Sequence, residues 1–116
     1  MNAAARWFEI ARSEDVAGRK PLAVRCAGRD VVCYRGWSGQ VHVVDGLCPH
    51  MRVSFAAHGI IEGDGITCRF HGWNWDGEGR NIWVPTQRRA MAVFDLHSHP
   101  VRESDGWVLV RPEPSA

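Results

Sequence analysis

The chain has 116 residues, 45% of them hydrophobic and 23% charged, and a formal net charge of +1. That length holds one domain, since a second core would need roughly another 100 residues. The balance excludes a disordered or fibrous chain, a basic stripe for nucleic acid and an acidic tail.

Met1 to Arg6 leads straight into an aromatic and charged segment, with no apolar leader and no apolar run of about 18 residues. A cytoplasmic protein with no membrane or nucleic-acid partner is expected. In that compartment its four cysteines are metal ligands or buried thiols rather than a disulfide framework, because cytosolic reductants keep thiols reduced.

Taken in chain order, short runs of Val, Ile, Trp and Phe alternate with Gly, Asp and Asn, and no segment keeps a helical apolar period beyond a turn or two. The pattern predicts an all-β domain of antiparallel sheets. Leu22, Val24 and Cys26 alternate with polar or small residues. Gly28-Arg29 is then expected to turn the chain into Val31 to Tyr34. With that turn Val24, Cys26, Val31 and Cys33 share one face, so both cysteines read as core thiols, with a redox role as the alternative. A second hairpin turns at Trp37-Ser38-Gly39 and its return strand, Val41 to Val44, leads to Cys48. A third turns at Gly63-Asp64 and ends at Cys68. Trp73-Asn74-Trp75, a turn at Asp76 to Gly79, a stretch ending at Pro85, the pair Val93-Phe94 and the strand Trp107 to Val110 complete the chain.

Two hairpins thus end in two loops of the same chemical kind. Cys48-Pro49-His50 and Cys68-Arg69-Phe70-His71, with 17 residues between His50 and Cys68, each offer one thiolate and one imidazole. In a Rieske centre two histidines replace two cysteines on one of two irons. Two ferric ions, two sulfides and two thiolates then sum to about zero with neutral imidazoles, which makes the cluster easier to reduce than a four-thiolate one. The same four donors would also suit tetrahedral zinc, although zinc sites favour C-x₂₋₄-C with H-x₃₋₅-H over loops that mix the two types.

The sequence resembles the N-terminal Rieske domain of bacterial Rieske non-haem oxygenases, particularly the steroid-hydroxylase type, and more distantly Rieske ferredoxins. The likeness runs through Val44 to Met51, Glu62 to Asp64, Cys68 to Trp73, Asp76 to Arg80 and Val101 to Val108. It implies a Rieske iron-sulfur fold in which a small cluster-binding subdomain, about 45–86, is inserted in a β base. It implies further that Cys48 and Cys68 hold an inner iron of a 2Fe-2S cluster, that His50 and His71 hold an outer, solvent-facing iron, and that the segment around Pro85 closes over the cluster. The family usually places Gly shortly after the first histidine, whereas here Arg52 follows Met51.

High-potential relatives add a cysteine to each loop and a Ser after the second His-Gly. Val53, Phe70 and Trp73 stand there instead, which implies a low potential within the class. The oxygenases continue into a catalytic domain with a 2-His-1-carboxylate iron site, for which Asp95, His97 and His99 are no substitute. No catalytic residue and no small-molecule substrate site is identified. The expected function is a ferredoxin that passes single electrons from a reductase to a terminal oxygenase, without turnover of its own. The alternatives are the Rieske domain or subunit of a split or truncated oxygenase and, more remotely, a structural zinc module.

The other histidines, His42, His58, His97 and His99, read as solvated or locally hydrogen-bonded, and His58 alone is close enough in sequence to the first loop to be a candidate there. Arg52 and Arg69 flank the ligands and are equally readable as docking or solvated residues. The six tryptophans read as core or cluster cover rather than as a stacking platform.

Overall fold

The computed structural model describes residues 6–18 and 20–112. Two runs of alternating residues, β2 (Leu22–Cys26) and β3 (Arg29–Arg35), form the first hairpin, and β4 (Val41–Asp45) pairs with the other edge of β3. The turn is Ala27-Gly28, with φ of 51° and 79°, and not the expected Gly28-Arg29. A tight hairpin of this kind needs two successive positive φ values, which frees Arg29 to pair with Cys26. Arg29 then reaches Asp45 at 2.9 Å. The expected face survives the change. Leu22 pairs with Cys33 and Val24 with Val31, a register displaced by an even number of residues, so the same side chains still point inward. Cys26 and Cys33 are buried among Val31, Val41, Val43, Val108 and Val110. Burial pushes the Cys33 thiol up to about 12, which leaves it an inert packing group.

A second three-stranded sheet, ordered β1 (Phe8–Arg12), β10 (Trp107–Val110), β9 (Val101–Ser104), shares this core. Val93-Phe94 forms no strand: Ala92–Phe94 is a 3₁₀ turn. The amides of Phe94 and Asp95 bond back to Met91 and Ala92, since a pair of apolar residues is too short to commit to a ladder.

The third sheet is ordered β5 (Gly59–Glu62), β6 (Gly65–Cys68), β7 (Asn74–Trp75), β8 (Asn81–Trp83). Its first turn is Gly63-Asp64, as expected, with Gly63 at φ 61°. Gly65 allows close approach of β7, because a Cβ there would lie against the Trp75 carbonyl oxygen. A single helical turn, α1 (Phe55–His58), starts where the Ser54 hydroxyl accepts the Ala56 amide. It sets Phe55 edge-on to Trp75, with ring centroids 5.3 Å apart. Both are fully buried, in one core with Val32, Tyr34, Ile66, Val84, Cys48 and Cys68. Truncating such a ring costs about 3–5 kcal/mol, so the core beneath the two loops depends on Phe55 and Trp75 for its stability.

Two carboxylates tie the hairpins to their surroundings. Asp64, in the β5–β6 turn, accepts from the Ser38 amide at 2.9 Å and lies 2.8 Å from His42 Nε2. Asp45, at the end of β4, lies 3.1 Å from His99 Nε2 and accepts the His97 amide at 3.0 Å. Among the described residues no helix is long and apolar enough to cross a membrane.

Candidate metal centre

Each hairpin delivers a cysteine to the start of a tight loop, and the two loops are built alike. The Cys48 amide donates to the Val53 carbonyl at 2.9 Å, and the Cys68 amide to the Trp73 carbonyl at 2.8 Å. Four residues after each cysteine an amide returns to the cysteine carbonyl: Arg52 to Cys48 at 2.6 Å, Gly72 to Cys68 at 2.9 Å. The returning residue is left-handed in both, at φ 56° for Arg52 and 71° for Gly72. The loop therefore keeps its shape without the glycine usual in the family, and Arg52 bears the backbone strain.

Four donors come together in two pairs. Cys48 and Cys68 are buried and their thiols are in hydrogen-bonding contact. His50 and His71 are exposed, with ring centroids 4.8 Å apart and planes at 77°. Tetrahedral zinc would need all four around one point. A buried thiol pair beside an exposed imidazole pair would suit a two-iron cluster, with Cys48 and Cys68 holding one iron and His50 and His71 the other.

The electrostatics suit that group. Burial pushes the Cys48 thiol up, while the backbone amides of Met51 and His50 donate to its sulfur and pull it down. Those donors are aimed where thiolate charge would sit, and a bound iron would supply the positive charge that burial lacks. All four cysteines are free thiols. Val53 is half-buried and Phe70 exposed, at the positions where high-potential relatives carry their bridging cysteines. A Cβ built on Gly72 would stand 3.4 Å from Pro85 Cγ, so the Pro85 segment borders the second loop.

Sequence reasoning left three things out. Trp73 stacks flat on His50, with centroids 4.4 Å apart and planes at 10°. His58 lies against Phe70 of the second loop at 4.5 Å, where chain order had placed it near the first. His42 and His99 are bound to Asp64 and Asp45, and His99 is only 2% exposed. Asp45 and His99 are 54 residues apart, and no spacing signal links them. Of the tryptophans, Trp73 and Trp75 are core, whereas Trp37 and Trp83 are exposed. Arg102 lies over Trp7 at 4.3 Å and Arg12 over Trp107 at 4.7 Å.

The chain is similar to known proteins in sequence and in fold. Residues 6–100 match the family model of the Rieske [2Fe-2S] domain. The oxygenase component of 3-ketosteroid-9-alpha-monooxygenase from Rhodococcus rhodochrous is 36% identical over 104 residues, which cover 90% of this chain and 27% of that protein. A cholesterol 7-desaturase from Hemicentrotus pulcherrimus is 32% identical over 108 residues, 90% of this chain and 23% of that protein. The chain therefore spans about a quarter of the length of these curated relatives. Among solved structures, dicamba monooxygenase bound to dicamba superposes with a TM-score of 0.87 at 26% identity, over 97% of this chain and 35% of that one.

Proposed function

The chain belongs to the Rieske [2Fe-2S] domain family, and from that membership we propose that Cys48, His50, Cys68 and His71 hold the family's 2Fe-2S cluster and relay single electrons within an oxygenase system. One observation carries the assignment: two loops of the same hydrogen-bonded build bring two thiols together in the core and two imidazoles together at the surface. When bound, the cluster takes up and returns one electron at a time. The cysteines keep the inner side of the site dry. The open imidazole edge brings a partner within reach of the other side. In this reading residues 45–86 act as the cluster-binding subdomain, and the sheets of β1, β10, β9 and of β2, β3, β4 as its base.

The partners proposed are a reductase and a mononuclear-iron oxygenase unit. The relatives are oxygenase components and desaturases, which supports the Rieske part of an oxygenase over a free ferredoxin. The ferredoxin reading rests on the exposed His50 and His71, which a diffusing partner could reach. A neighbouring gene for a chain carrying only the mononuclear-iron domain would support the first reading, and a complete oxygenase beside this gene the second.

Purified protein made with adequate iron should be brown and contain about two irons and two acid-labile sulfides per chain. Replacing any one of the four ligands should remove both. Colourless protein with stoichiometric zinc would refute the cluster assignment.

A further inference from the structure

The two loops are alike in backbone but not in what they put beneath the histidines. Five residues after each cysteine stands the residue whose carbonyl accepts that cysteine's amide, Val53 in the first loop and Trp73 in the second. Trp73 belongs to the second loop by its backbone and to the first by its side chain, because its ring lies flat under His50 at 4.4 Å. The indole is itself held. It is 6% exposed, meets Phe94 edge-on at 4.8 Å and Trp75 at 6.3 Å. The Trp75 indole N–H donates to the Phe94 carbonyl at 2.9 Å, which anchors the segment carrying Phe94. Val53 is aliphatic, so the equivalent position of the first loop offers His71 no flat stacking partner. His71 meets the His50 ring edge-on, at 77°.

We propose that Trp73 is a positioning residue that fixes the ring plane of His50 and joins the two ligand loops, so that the histidine pair is built asymmetric, one ring stacked on the buried indole and the other set edge-on against the first. This rests on the cluster assignment above. A flat stack gains beyond contact area when the two planes stay offset and near parallel, and here they lie 10° apart. A ring stacked on a buried indole would keep one orientation toward its metal, and that constraint acts on His50 directly and on His71 only through His50. Orienting a ligand histidine from outside the ligand set is how neighbouring residues tune a metal site.

The test uses purified holoprotein, reduced and examined by pulsed EPR with 15N-histidine labelling, which resolves the two coordinated nitrogens separately. In Trp73→Leu one nitrogen coupling should shift and broaden while the other keeps its parent value, and transfer of iron to a chelator should be about two- to tenfold faster. Trp73→Phe, which keeps a flat ring, should restore both readouts toward the parent. Val53→Leu should change neither coupling. Were Trp73→Leu to assemble no cluster, Trp73→Phe against the parent would decide: two distinct nitrogen couplings as in the parent support the proposal. Equal changes at both nitrogens in any Trp73 variant, or none in Trp73→Leu, would overturn it. Parent protein without a Rieske EPR signal would instead sink the cluster assignment, which separates the two failures.

Discussion

Arg52 and Gly72 hold the same place in two different loops: each donates its amide to the carbonyl of the cysteine four residues back, at 2.6 and 2.9 Å, and each is left-handed. Glycine adopts that conformation freely, and arginine at a cost of about 1–2 kcal/mol. Arg52→Gly should therefore leave stability unchanged or raise it by up to about 1 kcal/mol, after the greater freedom of glycine in the unfolded chain is deducted. Gly72→Ala should lower it by about 1 kcal/mol or more. Urea unfolding of both variants checks the pair. Destabilisation by Arg52→Gly above about 1 kcal/mol would mean that the Arg52 side chain does more than tolerate the turn.

The reduction potential should fall between roughly −150 and 0 mV, within the span of about −150 to +300 mV for Rieske centres. No disulfide can join Val53 and Phe70, and Trp73 turns a ring face toward His50 in place of a hydroxyl donor. Fewer hydrogen bonds to sulfur leave the reduced state less stabilised. Protein-film voltammetry from neutral to alkaline pH measures it, and a midpoint above about +150 mV would count against this account.

Arg52 and Arg69 are exposed and flank His50 and His71. Charges so placed steer an acidic partner over about 8–10 Å at physiological salt. Electron transfer to the true partner should slow with added salt and with Arg52→Glu or Arg69→Glu. Rates measured by stopped flow that ignore both changes would make the two arginines ordinary solvated residues.

Acid should loosen the anchor of the first ligand hairpin. Burial alone would push Asp45 up, but bonds from His99, the His97 amide and Arg29 outweigh it and hold the carboxyl down at about 2, from an ordinary 3.8. A carboxyl depressed by folding adds stability that is complete above its unfolded value and lost as pH falls through its folded one. The window is thus from about pH 4 down to about pH 2. Asp45→Asn should cost on the order of 2 kcal/mol at pH 7 and flatten the fall across that window, as read by urea midpoints. An unchanged slope would remove Asp45 from the acid response.

The sequence by itself determined the three hairpins and the shared face of Cys26 and Cys33, and it offered Cys48, His50, Cys68 and His71 as candidate donors. Those features depend on turn chemistry and a two-residue period, which act over a few neighbours. Even the misplaced turn at Ala27-Gly28 left that face unchanged, because its register differed by an even number of residues. The shape of the first loop could not be read the same way, since Arg52 argues locally against the conformation it adopts and the hydrogen bonds closing the loop override it. Only the tertiary structure decided that Trp73 lies under His50, that His99 serves Asp45 and that His42 serves Asp64. A ring's direction and a carboxylate's partner are set by how the sheets approach one another, and that packing joins residues whose separation in the chain carries no period to read.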